Sequence, residues 1–109
     1  MLHHLRVDLR LKWVAKDEYE GTVEITVPDS CYQGASVRAG LPAGMLGVPE
    51  IAYLTAELSH DGEGCLDQVR KITGSIKGIH SEGHPLGVTA FVVVQGHTVG
   101  MAHQAFPRR

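Results

Sequence analysis

Apolar and polar residues alternate strictly along the first part of the chain. Polar or charged residues separate a series of odd-numbered apolar positions, Leu5, Val7, Leu9, Leu11 and Trp13. Such alternation predicts a β-strand with one face on the core and the other in water. The same pattern returns after a polar segment, at Val23, Ile25 and Val27. Two strands joined by a short polar link predict an antiparallel hairpin, which Pro28 ends because proline cannot donate to a ladder.

The composition changes between residues 28 and 50, where glycine, proline and small apolar residues dominate. Glycine costs a helix up to about 1 kcal/mol relative to alanine, and proline about 3 kcal/mol in its interior. Two features nevertheless favour a helix here. Asp29 or Ser30 is suited to cap its start, and small residues let a helix lie close to a sheet. We therefore predict a broken or kinked helix within residues 36–46.

Residues 49–60 carry two patterns at once. Pro49 suits the first position of a helix, and Ile51, Leu54 and Leu58 have helical spacing. The same segment also alternates as a strand, with Tyr53 on the polar side. The prediction favours a strand from Tyr53 onward, followed by a turn over residues 59–64.

The rest of the chain predicts more strands. Residues 69–79 combine β-branched residues with glycine, residues 86–95 are apolar on both faces, and residues 98–106 alternate again. The fold class predicted for the single domain, residues 1–109, is therefore α+β. An N-terminal hairpin and one Gly-rich helix would precede a C-terminal antiparallel meander.

The segment HSEGH holds His80, Glu82 and His84, residue types that bind metal ions. Histidines four apart share a face only in a helix, and Gly83 and Pro85 oppose a helix here. A metal site needs three or four converging ligands, and these three side chains could supply them from a loop. The prediction favours a polar turn with no metal and no cofactor, and a zinc or nickel site is the alternative.

His103 is a second histidine of interest. It shares its predicted strand face with Val99 and Met101 and is expected to point inward. Among the titratable side chains, it is therefore the one that we most expect its surroundings to perturb.

Charge and composition narrow the class of protein. The net charge is −2 and the basic residues are scattered, which argues against a nucleic-acid-binding face. No signal peptide is recognisable, and no run approaches the roughly 20 apolar residues of a membrane span. We expect a cytoplasmic protein that keeps Cys31 and Cys65 reduced, with a redox or reactive role for one of them as the alternative.

Residues 65–106, which contain the segment IHSEGHPLGVTAFVVVQGHTVGMAHQAF, resemble the hot-dog fold of small acyl-CoA thioesterases. The resemblance implies a sheet around a central helix, a dimer or higher homo-oligomer, and acyl-thioester binding at a subunit interface near the helix N-terminus. That family often has His-Gly-Gly at the start of its helix. The corresponding segment here is VRAGL, with only Ala39 and Gly40 in that place.

Two functions follow as expectations. In the first, a thioesterase activates water with Glu50 or Glu57 and holds the carbonyl oxygen with amides around Gly40. In the second, a non-catalytic module binds a small apolar ligand or a partner protein. The missing His-Gly-Gly favours the second. The residues expected to line the ligand pocket of such a module are Trp13, Arg38, Gly40, Met45, Tyr53 and His103.

Overall fold

The computed structural model describes residues 4–108, and every regular element within that range is a β-strand. The strands are β1 (Arg6–Ala15), β2 (Glu18–Asp29), β3 (Tyr32–Ala39), β4 (Ala52–His60), β5 (Asp67–His80), β6 (Val88–Val94) and β7 (His97–Gln104). The described part of the chain contains no helix, and therefore no helix that is long and apolar enough to span a membrane.

The strands form two sheets that enclose one core. The first sheet has the order β1-β2-β5 and the second the order β3-β4-β6-β7. Neighbouring strands are antiparallel except β4 and β6, which are parallel. The largest fully buried side chains come from both sheets: Ile25, Val23, Val27, Tyr32, Leu54, Val88, Val92 and Val94. Their burial provides most of the stabilisation in such a sandwich.

The N-terminal hairpin is confirmed. Leu9 pairs with Val23 and Val7 with Ile25, so the two apolar faces coincide as the alternation predicted. Asp17, in the two-residue turn, has a φ of 57°, a conformation that aspartate tolerates better than most residues. Trp13, at the far end of β1, is 46% exposed and contributes less to the core than the pattern suggested.

The helix predicted within residues 36–46 is wrong, and with it the α+β class. Residues 36–39 belong to β3, which pairs with β4, and residues 40–51 form a connection without regular structure. Gly40 and Gly44 have φ values of 115° and 81°, which a helix does not accommodate. Two prolines in the same connection further oppose a helix.

The predicted strands from Tyr53, at 69–79, at 86–95 and at 98–106 are confirmed within a few residues. The antiparallel meander is wrong, because β5 pairs with β2 in the other sheet rather than with β4 or β6. The link from β4 to β6 therefore passes through the opposite sheet. A crossover of this kind brings two strands side by side in parallel, whereas a tight hairpin can only make them antiparallel.

Two glycines lie where the edges of the sheets meet. A β-carbon at Gly74 of β5 would lie 2.7 Å from Cγ2 of Val37 in β3. At the opposite edge, Gly100 of β7 lies close to β1, and the Leu5 amide donates to the Val99 carbonyl at 2.7 Å. The absence of a side chain at both glycines lets the two sheets come together at their edges.

Candidate functional site

A cavity of about 400 Å³ opens at one end of the sandwich, where β3 ends, β4 begins and β5 ends. We call it the end cavity. Its apolar lining includes Leu41, Ile51, Leu54, Ile76 and Ile79, and its polar groups come from Lys77, His80 and His84. Its volume is within the range of small-molecule sites, roughly 300–1,000 Å³.

A β-bulge in β5 shapes this end of the sandwich. Between the pairs Tyr19–Ile79 and Gly21–Ile76, β5 has two residues where β2 has one. Gly78, one of the two, has a φ of 84°. A bulge bends its strand and redirects the side chains beyond it. Ile76 and Ile79 therefore both line the end cavity although they are three residues apart.

Both histidines of the end cavity are fixed by backbone carbonyls. Nδ1 of His80 lies 3.0 Å from the carbonyl oxygen of Asp17, and Nδ1 of His84 lies 2.8 Å from that of Pro49. A carbonyl oxygen only accepts hydrogen bonds, so each Nδ1 carries a proton and donates it. Nε2 of each ring then accepts a hydrogen bond when the ring is neutral and donates one when it is charged.

The residues around His80 form a turn that is anchored to the first hairpin. Ser81 Oγ and the Glu82 amide both donate to Oδ1 of Asp17. The hydrogen bond from Ser81 is the main reason that the pKa of Asp17 lies below its usual value. Residues 81–87 contain two turns between β5 and β6. In residues 4–108, His80, Glu82 and His84 are not among the side chains whose metal-binding atoms converge.

The structure brings only part of the predicted pocket together. Gly40 and Tyr53 line the end cavity, whereas Trp13, Arg38, Met45 and His103 do not. The Tyr53 hydroxyl accepts a 2.9 Å hydrogen bond from the Val48 amide, which fixes the 40–51 connection over β4. Two of the six predicted pocket residues therefore lie on one wall of this cavity, and no residue of the β5 wall was among those predicted.

The two predicted catalytic acids lie apart from the end cavity. Glu57 lies on the outer face of the second sheet, where its carboxylate is 3.8 Å from the Arg38 guanidinium. Glu50 is exposed, and its carbonyl accepts a hydrogen bond from the Leu86 amide. Gly40 belongs to a connection without regular structure, so the helix amides expected to hold a thioester carbonyl have no counterpart in the described residues.

His103 points outward, so its predicted inward orientation is wrong. Between the pairs Val92–Gly100 and Val93–Thr98, β7 contains one extra residue. This bulge reverses the alternation, and Ala102 rather than His103 packs against the core. Nδ1 of His103 lies 2.8 Å from the hydroxyl oxygen of Thr89 across the strand pair.

A second group of chemically active side chains lies between the β2–β3 turn and the β4–β5 connection. It consists of Asp29, Cys31, His60 and Cys65, and we call it the Cys–His–Asp cluster. One potential metal-binding atom from each lies within 4.8 Å of every other. Cys31 and Cys65 form a disulfide with a Cα–Cα distance of 5.4 Å, so the expectation of reduced packing cysteines is wrong.

Hydrogen bonds hold the carboxylate of this cluster in place. Oδ1 of Asp29 accepts from the Cys31 amide at 2.9 Å, and Oδ2 lies 3.2 Å from Nε2 of His60. Partial burial by itself raises the pKa of Asp29, but these two hydrogen bonds, the charge interaction with His60 and a hydrogen bond from the Tyr32 backbone together outweigh it, so the pKa lies below its usual value. Burial and the nearby Asp29 carboxylate raise the pKa of Tyr32.

No family model, curated protein or solved structure matches this chain. These comparisons leave the resemblance to hot-dog thioesterases untested. The functional assignment therefore depends on the geometry of the end cavity and of the Cys–His–Asp cluster.

The sequence contained a partial signal for each site. Both histidines of the end cavity belong to the HSEGH segment, but nothing local showed that β5 faces the start of β4. In the Cys–His–Asp cluster, Asp29 and Cys31 are two residues apart and His60 and Cys65 five apart. Paired spacings of this kind indicate that two loops each supply two ligands, provided that the fold brings the loops together.

Proposed function

We propose that this protein is a non-catalytic binding module that holds a small, largely apolar ligand in the end cavity. The observation that carries the proposal is the composition of the cavity wall. Aliphatic side chains from both sheets provide most of it, and two oriented imidazoles provide polar contacts on one side. Ligand sites typically combine an apolar lining with a few fixed polar groups.

The charges at the cavity favour a ligand with an anionic or hydrogen-bonding end. Lys77, His80 and His84 are the basic residues of the wall, and none of the described residues that line it carries a carboxylate. Glu20 lies 3.9 Å from Lys77 and offsets part of its charge. A carboxylate end of the ligand would accept hydrogen bonds from the imidazoles in their charged form, while its apolar part displaces water from Ile76 and Ile79.

Three simple amphiphiles of equal chain length test the proposal. Octanoate, 1-octanol and octylamine are titrated into the protein, and binding is followed by calorimetry and by NMR shifts of residues 76–84. We expect a saturable equimolar complex with octanoate, weaker binding of octanol and the weakest binding of octylamine. The absence of any saturable binding by the three compounds would contradict the proposal.

A variant that fills the end cavity locates the binding. Ala39 is exposed and lines the cavity, so Ala39→Leu places a larger side chain in it without entering the core. We expect the affinity to fall by roughly tenfold or more, since overpacking a site costs about 1–3 kcal/mol. Ala43→Leu is the matched control, because Ala43 is also exposed but lines a different cleft. Equal effects of both variants would argue against the end cavity.

Association into a homo-oligomer, expected from the sequence, stays a prediction. Sedimentation of the oxidised protein with and without octanoate measures it. The measurement also shows whether ligand binding and self-association are linked.

A further inference from the structure

We propose that Asp29, Cys31, His60 and Cys65 form a zinc site when the Cys31–Cys65 disulfide is reduced. The protein would then hold the same two loops together in two alternative ways, by a disulfide under oxidising conditions and by Zn²⁺ under reducing conditions. This site is separate from the end cavity.

The ligand set is one that zinc prefers. Structural zinc is bound by four ligands, most often cysteine thiolates and histidine nitrogens, and aspartate oxygens also serve. The described residues contain one group of three or more such side chains whose ligand atoms converge, and it is this one. Two thiolates, one imidazole and one carboxylate complete a tetrahedron and leave no open position.

The distances already approach those of a zinc tetrahedron. Zinc–nitrogen and zinc–oxygen bonds of about 2.0–2.2 Å place the two ligand atoms roughly 3.3–3.6 Å apart. Nε2 of His60 and Oδ2 of Asp29 are 3.2 Å apart in the disulfide form. Because the Cys31 amide already occupies Oδ1 of Asp29, Oδ2 is the oxygen positioned for the metal. A metal ion there would replace the proton that the two side chains share.

The surrounding backbone holds the ligands in both forms. The Asp61 amide donates to the Cys31 carbonyl, and the Ser30 and Leu66 segments are joined by two hydrogen bonds of 3.0 and 2.9 Å. Nε2 of the Gln95 side chain donates to the His60 carbonyl at 3.0 Å. None of these contacts uses a thiol, so the loops stay adjacent after the disulfide is cleaved.

Charge and burial are also favourable. Two thiolates, one carboxylate and Zn²⁺ sum to a net charge of −1. The Arg70 guanidinium donates to the carbonyls of Ser30 and Tyr32, on either side of Cys31, where its charge offsets that excess. Cys31 is 8% exposed, the side chains of His60 and Asp29 are 25% and 20% exposed, and Cys65 is partly buried, so the protein shields part of the site from water.

The chemistry requires a dithiol as reductant. Thiol–disulfide exchange transfers two electrons and two protons from the dithiol to the Cys31–Cys65 disulfide. The products are two free thiols in the protein and a disulfide in the reductant. Zn²⁺ then displaces the two thiol protons to solvent and binds the resulting thiolates, together with Oδ2 of Asp29 and Nε2 of His60, whose proton exchanges through water to Nδ1 so that the imidazole stays neutral.

The test compares the full chain in its two redox forms. Protein reduced by immobilised dithiol is separated from the reductant without oxygen, and bound metal is measured after addition of Zn²⁺ and gel filtration. We expect one zinc per reduced chain and none per oxidised chain. Addition of Co²⁺ to the reduced form should give the visible absorption of tetrahedral cobalt and a thiolate-to-cobalt charge-transfer band.

Single variants assign the ligands without removing the cysteines. Asp29→Asn and His60→Gln should each lower zinc affinity by roughly 10- to 100-fold or more, because even loss of a supporting residue has an effect of that size. Asp67→Asn is the matched control, since Asp67 is exposed and pairs with Asp29 across the ladder. The proposal is overturned if reduced protein binds no stoichiometric zinc, if the oxidised form binds it equally, or if both ligand variants retain full affinity.

Discussion

Gly100 lies so close to Val7 that a β-carbon at position 100 would be 2.7 Å from Cγ2 of Val7. The same added β-carbon would be 2.9 Å from the carbonyl oxygen of Leu5. This approach joins the edge of the first sheet to the edge of the second, next to the hydrogen bond from Leu5 to Val99.

Gly100→Ala should therefore destabilise the protein strongly. The added methyl group meets the short, branched Val7 side chain and the Leu5 carbonyl oxygen, and this backbone can only yield by moving β1 away from β7. We expect a loss of about 1–3 kcal/mol in the free energy of unfolding. Gly21→Ala is the comparison, because the nearest atom there is Cδ1 of Ile79, the end of a flexible side chain. Urea unfolding of both variants measures the difference. A smaller loss for Gly100→Ala than for Gly21→Ala would contradict this account of the sheet edge.

Thr55→Val should destabilise the 40–51 connection. Thr55 is fully buried, and its hydroxyl donates a 2.8 Å hydrogen bond to the Gly40 carbonyl. Valine has a similar shape but no donor, so we expect a loss of about 1–3 kcal/mol and faster amide exchange in residues 40–51. Thr73→Val, at an exposed position of β5, should change stability by less than about 0.5 kcal/mol. Equal effects would show that the buried hydrogen bond is not important.

Loss of the disulfide should lower stability when metal is absent. Cys31 and Cys65 are 34 residues apart in sequence. Chain-entropy arguments for a closed loop of that length give about 3–4 kcal/mol. Urea unfolding of oxidised protein and of the Cys31→Ser/Cys65→Ser variant, both with a chelator, measures this loss. Identical unfolding midpoints and slopes would contradict a cross-link that stabilises the fold.

Asp17 should make stability depend on pH at the acid end. Its folded-state pKa is lower than the ordinary value of 3.8, chiefly because the Ser81 hydroxyl donates to its carboxylate. A lowered pKa stabilises the folded protein above pH 3.8, and the contribution is lost as the pH falls through the folded-state value. The wild type should therefore exceed Asp17→Asn in stability near pH 6, and the difference should shrink below pH 3.8.

The measurement is the free energy of unfolding of both proteins across that pH range. Asparagine keeps the positive φ of the turn accessible, so the variant tests charge rather than backbone strain. Ser81→Ala should reduce the same pH dependence from the other side of the hydrogen bond. A difference that stays constant with pH would contradict the assignment.

The sequence predicted the secondary-structure elements better than it predicted which strands pair with one another. The hairpin of β1 and β2 follows from alternation alone, because both its faces and its turn are local features. The helix prediction failed at residues 36–46 because alanine, glycine and valine at close spacing suit a helix on a sheet as well as an edge strand. Pairing of β3 with β4, together with the approach of Gly74 to Val37, decided between them.

The two sites depended on contacts that no local pattern contains. The orientation of His103 was predicted wrongly because one extra residue in β7 reverses every side chain beyond it. The end cavity needed the knowledge that the end of β5 faces the start of β4. The Cys–His–Asp cluster needed two loops to meet that lie about thirty residues apart in the chain.

By itself, the order of apolar and polar residues determined six of the seven strands, all but β3, and which face of most of them is buried, because a strand repeats every two residues. Only the tertiary structure decided that β5 leaves its sequence neighbours for β2, that β4 and β6 run in parallel, and that four metal-binding side chains converge. These outcomes arise from packing between the two sheets, where the free energy of burying both faces together outweighs any preference of a single segment.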